Sequence, residues 1–135
     1  QIARKVYDGN YRDLEADDEY RKNWYAKYRL ESVVQLQELV ETAATEDVFK
    51  IVTCPVFNGV YYKDEEKQDE VIRVSAVRKM HESLGTPSDL KEMVEFPNAN
   101  SHVIAFSDRS GSAEEVQLAT IEFMQKTLGM TQIVN

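Results

Sequence analysis

Hydrophobic positions change their spacing near residue 50, and this change divides the chain into two parts. Before it, apolar and aromatic residues recur every three or four positions, which favours amphipathic helices. After it, short apolar runs alternate with helical periodicity, and all three prolines and four of the five glycines lie there. We therefore predict a helical segment over residues 1–50 and a strand–helix–strand–helix unit over residues 51–135, with the boundary at residues 47–54.

The first part predicts two short helices. One begins near Asp17 or Asp18, residue types that suit a helix N-terminus, and carries Tyr20, Trp24 and Tyr28 at a spacing of four on one face. The second begins near residue 32. Its apolar face comprises Val33, Leu36, Leu39, Val40 and Ala43. Short helices are marginal alone, so both faces need a packing partner.

The second part predicts two strands and two helices. Residues 56–61 and 91–96 have strand character, and the helix between them reaches Gly85, where we expect the C-terminal cap. The last helix begins at Ser112 and ends at Gly129. A strand–helix–strand unit of this length implies a parallel pair with a right-handed crossover. Two parallel strands rarely suffice alone, so we expect further polypeptide to complete the sheet.

Composition excludes several classes of function. Sixteen basic residues against twenty-four acidic ones give a net charge of −8, which disfavours nucleic acid and anionic membranes as partners. No apolar run approaches the roughly 18–20 residues of a membrane span. With 42% hydrophobic residues the chain can form a core. We expect a soluble, cytoplasmic protein.

Polar residues follow both predicted strands directly. Residues 63–72 contain five acids, and residues 97–102 end in His102. The carboxyl ends of neighbouring parallel strands lie together, where sites of α/β proteins form. A carboxylate there can fix the tautomer of an imidazole and stabilise its charged form. We prefer Asp69 as the acid because Val71 and Ile72 follow it and can anchor the next helix, and we keep Asp64 as the alternative.

This order of elements resembles the C-terminal part of the α/β-hydrolase fold. In that family the acid often stands in an Asp-x-Val pattern, matched here by Asp-Glu-Val at residues 69–71. The histidine follows a proline and small residues, matched here by Pro-Asn-Ala-Asn-Ser-His at residues 97–102. The last helix fits, as do helices before the first strand, where the family inserts its cap or lid. The resemblance covers about residues 11–129 and implies an α/β fold.

The resemblance implies that Asp69 and His102 belong to a Ser–His–Asp triad that hydrolyses a carboxylic ester or a related acyl substrate. Trp24 and Tyr28 would then lie in a cap over the substrate pocket, and no cofactor or metal is implied. The family's Gly-x-Ser-x-Gly elbow does not occur in this sequence. The predicted partner is therefore an N-terminal half that carries the nucleophile, without which the chain is inactive, or a second copy that covers the open sheet edge.

Each feature also has a non-catalytic interpretation. His102 could be an ordinary loop histidine, and Asp69 could cap the following helix. Residues 64–70 are a solvated charged loop rather than a calcium loop, which requires a glycine at its sixth position and an acid at its twelfth. Cys54 is interpreted as a small buried hydrophobe. The alternative for the whole chain is a non-catalytic acidic domain that binds other proteins.

Overall fold

The computed structural model describes residues 10–131 and residue 133. The chain forms two compact units that divide between Thr45 and Glu46, just before the predicted boundary. The first unit contains β1 (Tyr11–Asp13), α1 (Asp18–Asn23), β2 (Lys27–Arg29) and α2 (Leu30–Ala43). The second contains α3 (Glu46–Ile51), β3 (Val56–Val60), α4 (Val74–Ser83), β4 (Lys91–Glu95) and α5 (Ala113–Leu128), with a 3-10 turn at Ser88–Leu90. Among these helices none is long and apolar enough to cross a membrane.

The first helix begins as predicted and ends early. The Asp17 carboxylate accepts a hydrogen bond from the backbone N–H of Tyr20 at 2.6 Å, which caps the N-terminus of α1. The helix stops at Asn23 because Trp24 is extended, with φ −135° and ψ 151°. The rings of Tyr20 and Trp24 lie 5.3 Å apart between centroids.

The prediction that Tyr28 shares this helical face is wrong. Tyr28 lies in β2 and pairs with Arg12 of β1 in an antiparallel ladder. The Arg12 guanidinium lies over the Tyr28 ring, 5.9 Å from its centroid. Cross-strand pairing therefore overrides the fourfold spacing, because β1 supplies a ladder partner that the spacing could not reveal.

The helix α2 begins two residues earlier than predicted, at Leu30. The Ser32 hydroxyl donates back to the Arg29 carbonyl at 2.6 Å, so it does not cap a free N–H. Leu30 is buried. The exposed apolar side chains of α2 are Val33, Val34, Leu36, Leu39 and Val40.

The second unit is built on a parallel pair of strands, which confirms the predicted parallel arrangement. Strand β3 pairs with β4 in register from Val56 opposite Lys91 to Val60 opposite Glu95. Within the described residues this sheet has two strands, so the observed architecture is mixed α/β with small sheets. A hydrophobic core forms from Tyr61, Phe96, Ala99 and Val116, against which the strand residues Phe57 and Val94 pack together with Ile104 and Ala119. This core supports the loops that follow both strands.

The end of α4 corrects the predicted role of Gly85. The helix is capped at Leu84, whose N–H donates to the Met80 carbonyl at 3.1 Å, and Gly85 does not adopt the left-handed conformation. Glycine is required there by close approach, because a Cβ atom would overlap the backbone carbonyl oxygen of Lys50 in α3. The cap at Gly129 is confirmed, with φ +62° at the end of α5.

Two polar side chains join the elements around β3. The Lys91 ammonium, at the start of β4, donates to the carbonyl oxygens of His81 and Leu84 at 2.9 and 3.2 Å, and so satisfies the last turn of α4. The buried Thr86 hydroxyl donates to the Cys54 carbonyl at 2.7 Å. Cys54 itself is exposed, so its predicted burial is wrong.

We expect Gly85→Ala to lower the free energy of unfolding by about 2–3 kcal/mol, because backbone atoms of α3 must move to admit a methyl group. Gly129→Ala is the control. Its Cβ meets no atom within 4 Å, so it carries only the cost of a left-handed alanine, about 1 kcal/mol. Urea unfolding measures both variants. An equal or smaller loss for Gly85→Ala would contradict the close approach.

Candidate functional site

The loop after β3 folds back on itself and returns Asp69 to the strand end. Tyr62 and Gln68 form an antiparallel bridge across the loop, and the Lys63 N–H donates to the Lys67 carbonyl at 2.9 Å. The Asp69 N–H then donates to the carbonyl of Tyr61 at 3.0 Å. The length of the loop therefore does not displace the acid from the end of β3.

Asp64, the alternative acid, closes the tip of this loop. Its carboxylate Oδ1 accepts the backbone N–H groups of Glu66 and Lys67 at 3.0 and 2.8 Å. Aspartate commonly stabilises tight turns through such bonds to the following backbone. The structure brings Asp69 to His102 and leaves Asp64 exposed at the loop tip.

The Asp69 carboxylate uses both of its oxygens. Oδ1 accepts the backbone N–H groups of Val71 and Ile72 at 2.8 and 2.9 Å, and Oδ2 lies 2.7 Å from Nδ1 of His102. The Asp69 side chain is 2% exposed, whereas that of His102 is 43% exposed. A buried acid therefore holds a histidine that remains open to solvent.

Two expectations about this turn need correction. Val71 and Ile72 were expected to anchor the next helix through their apolar side chains, but both side chains are exposed. Their contribution is their backbone N–H groups. Asp69 does not cap α4 either, since that helix begins at Val74 with Arg73 as its N-cap. The Asp69 side chain stabilises a separate turn before the helix.

Hydrogen bonds to the Asp69 carboxylate favour its ionised form. Burial raises the pKa of Asp69, but hydrogen bonds from the Ile72 N–H, the His102 ring and the Val71 N–H outweigh it and hold that pKa below its ordinary value. The carboxylate is therefore ionised at neutral pH and can only accept. The proton in the 2.7 Å contact belongs to Nδ1 of His102, which leaves Nε2 of the neutral ring as an acceptor.

His102 is presented by a tight loop after β4. The Phe96 N–H donates to the Val60 carbonyl at 2.8 Å, which extends the pairing of the strands, and the Ala99 N–H turns back to the Phe96 carbonyl at 3.2 Å. Asn100 adopts φ +48°, a left-handed conformation that asparagine tolerates better than most residues with a side chain. This turn brings His102 beside Asp69.

A cleft of about 340 Å³ lies beside the pair. This volume suits a small ligand. The residues that line it include Lys67, Glu70, Val71, Asn100, Ser101 and His102. The exposed histidine therefore borders a space that a substrate could occupy.

The other candidate residues lie elsewhere. Trp24 and Tyr28 belong to the first unit, so their role over a pocket stays a prediction. His81, the second histidine of the chain, contacts Asn58 of β3, with its Nδ1 2.9 Å from Asn58 Oδ1. Ser112 Oγ donates to the Glu115 carboxylate at 2.7 Å at the start of α5. Over residues 10–131 and 133, no group of three or more His, Cys, Asp or Glu side chains is arranged to hold a metal ion.

The sequence pattern did not predict one residue of the site. Tyr61 lines the cleft, and its backbone carbonyl holds the N–H of Asp69. Its position at the end of an apolar run marked it only as part of a strand. A tyrosine at the end of an apolar strand, directly before the acidic loop, could have indicated this role. A buried tyrosine hydroxyl needs a hydrogen-bond partner, and the neighbouring loops are the place to expect one.

Comparison with known proteins assigns no family to the chain. A scan against models of protein families finds no match, and a search of curated proteins finds none either. The hydrolase interpretation therefore depends on the order of the elements and on the geometry of the Asp69–His102 pair.

We expect Asp69→Asn to reduce stability at pH 7 by about 1–3 kcal/mol, because it removes a buried ionic acceptor. It should also flatten the acid dependence of unfolding. Below the ordinary pKa of 3.8, the unfolded chain binds a proton at Asp69 that the folded chain refuses, so the wild type loses stability as pH falls through the lower folded pKa.

Urea unfolding between pH 2.5 and 7 measures this difference. Asp64→Asn is the control, since it removes one negative charge from the same loop without touching His102. A wild-type pH profile for Asp69→Asn would contradict the assignment of the lowered pKa.

Proposed function

We propose that residues 51–135 form the C-terminal part of a serine α/β-hydrolase and supply the acid and the histidine of its triad. The observation that carries this proposal is the 2.7 Å contact between Asp69 Oδ2 and His102 Nδ1 beyond the ends of adjacent parallel strands. An ordinary surface ion pair has two solvated partners. Here the acid is buried and accepts hydrogen bonds through both of its oxygens, while the histidine borders a cleft. A histidine that acts as a general base needs such an acid on one side and access to substrate on the other.

His102 acts first as a base and then as an acid. Its Nε2 takes the proton of a serine hydroxyl as the serine oxygen attacks the carbonyl carbon of an ester. The resulting imidazolium donates that proton to the leaving alcohol, and an acyl-serine remains. A water molecule repeats the cycle: it loses its proton to Nε2, attacks the acyl carbon and releases the acid, and the serine recovers its proton.

Asp69 orients His102 throughout this cycle. Its carboxylate keeps the proton on Nδ1, so that Nε2 is free to accept, and its charge stabilises the imidazolium once it forms. Because its own pKa is held low, Asp69 remains ionised and does not take the proton from His102. The hydrogen bonds from the N–H groups of Val71 and Ile72 therefore help to keep Asp69 ionised, and the ionised Asp69 stabilises the imidazolium of His102.

The nucleophile comes from polypeptide outside these 135 residues, since they contain no Gly-x-Ser-x-Gly. The composition of the strands supports a neighbour on β3. Strand β3 reads Val-Phe-Asn-Gly-Val without a charge, whereas β4 carries Lys91, Glu92 and Glu95, and charges are typical of sheet edges. The nucleophile-bearing half is the proposed neighbour, and a second copy of this chain is the alternative.

A second function, that of a non-catalytic acidic domain that binds proteins, is favoured by α2. Five apolar side chains of this helix are exposed. The helix carries acids and no basic residue, within a chain of net charge −8. A domain of this kind would bind a partner through α2 and would need no serine.

The test uses the polypeptide that contains both these residues and the upstream segment. A fluorophosphonate probe, which labels activated serines, should label that protein and leave the 135-residue chain unlabelled. We expect His102→Ala to lower kcat for a simple ester more than about a thousandfold, because the proton acceptor is lost. Asp69→Asn should lower kcat by about three to four orders of magnitude, because His102 then adopts the wrong tautomer.

His81→Gln is the matched control, because it removes the other histidine of the chain and leaves the candidate pair intact. It should keep ester hydrolysis within about twofold of wild type. Full activity in His102→Ala would refute the hydrolase proposal. Absence of any labelled serine in the longer polypeptide, together with a bound partner released by charged substitutions at Leu36 and Val40, would establish the binding function instead.

A further inference from the structure

Tyr61 contacts Asp69 and the loop that carries His102. Its backbone carbonyl accepts the N–H of Asp69 at 3.0 Å, and its side-chain hydroxyl donates to Oδ1 of Asn100 at 3.0 Å. Asn100 precedes His102 by two residues. We infer that Tyr61 is a positioning residue, which fixes the loop of His102 against the turn of Asp69 and so sets the geometry of the pair.

The body of Tyr61 is held by the core. The residue is buried and packs in one cluster with Phe96, Ala99 and Val116. Packing on this scale restricts the side chain to one rotamer, so its hydroxyl marks a fixed point beside the cleft. Its backbone is held as well, because the preceding carbonyl, that of Val60, accepts the Phe96 N–H of the neighbouring chain segment at 2.8 Å.

Asn100 links the Tyr61 hydroxyl to the loop that carries His102. Its side chain accepts from Tyr61 through Oδ1 and donates through Nδ2 to the Asn98 carbonyl at 3.0 Å. Its backbone lies in the left-handed region at φ +48°, a conformation with little freedom for a residue with a side chain. The backbone that leads to His102 therefore cannot move far unless these two hydrogen bonds break.

The position of this loop affects how strongly the Nδ1 proton of His102 is held. The 2.7 Å contact between Asp69 and His102 is short enough to depend on small displacements of either loop. If the loop relaxes, the bond lengthens, the Nδ1–H tautomer loses part of its stabilisation, and Asp69 loses one of the hydrogen bonds that keep its pKa low. The effect of Tyr61 on the pair is independent of the reaction, whereas its effect on turnover rests on the proposed hydrolase function.

The experiment compares Tyr61→Phe with Tyr62→Phe in the 135-residue chain. Tyr62 is a matched control, since its hydroxyl donates to the exposed Glu65 carboxylate at 2.9 Å and not to Asn100. Ring ¹⁵N shifts report the tautomers of His102, and the ¹³C shift of the carboxyl group reports the pKa of Asp69. We expect Tyr61→Phe to lower the ratio of Nδ1–H to Nε2–H tautomer about fivefold, the effect of one hydrogen bond.

The Asp69 pKa should rise towards its ordinary value in the same variant, and Tyr62→Phe should leave both readouts at wild type. Asn100→Gly gives an independent route if Tyr61→Phe disturbs folding, because glycine accepts φ +48° and removes only the side chain. It should reproduce the tautomer shift. The double variant should shift the tautomers no further than Asn100→Gly alone, because the hydrogen bond that Tyr61→Phe removes is already absent there.

Unchanged tautomers and an unchanged Asp69 pKa in both Tyr61→Phe and Asn100→Gly would overturn the inference, as would an equal shift in Tyr62→Phe. The same variant in the longer polypeptide distinguishes the positioning role from the hydrolase proposal. If Tyr61→Phe moves the tautomers of His102 there while no serine is labelled, the positioning role stands and the hydrolase function fails.

Discussion

A carboxylate taken out of water must have its charge compensated, and the second unit is arranged around one such group. Asp69 is nearly inaccessible, yet its two oxygens receive two backbone N–H groups and one imidazole N–H. Desolvation alone would favour the protonated acid, and the three donors reverse that preference. The loop after β3, the turn before α4 and the loop after β4 all have to be in place for this compensation to exist.

The parallel sheet and the core make that convergence possible. In-register pairing of β3 with β4 brings the segments after Val60 and Glu95 to the same edge. The cluster of Tyr61, Phe96, Ala99 and Val116 then packs those segments together, so that acid and histidine meet although they are 33 residues apart. Lys91, which satisfies the end of α4, holds the crossover helix to the start of β4. The chemistry of the pair thus depends on ordinary packing beneath it.

Several predictions depended on side-chain character where the backbone decided the outcome. Asp69 was preferred for the apolar residues after it, and those residues act through their N–H groups while their side chains are exposed. Gly85 was expected as the C-terminal cap of α4, and its small size instead admits the carbonyl of Lys50. Tyr28 was placed on a helix by its spacing, and pairing with β1 placed it in a strand. Each of these three outcomes depends on a partner distant in sequence or on the local course of the backbone. The spacing of residue types reveals neither.

The sequence by itself determined the local features. Alternation and periodicity located β3, α4, β4 and α5, glycine marked the end of α5, and the strand–helix–strand order required a parallel pair. These features depend on residues close together in the chain, where spacing carries the information. Only the tertiary structure decided that Asp69 rather than Asp64 meets His102, that the pair is buried on one side and open on the other, and that Tyr61 joins its two loops. Those outcomes depend on how the 61–69 loop folds back and on which groups lose water, and both are set by contacts between segments that the linear order leaves undefined.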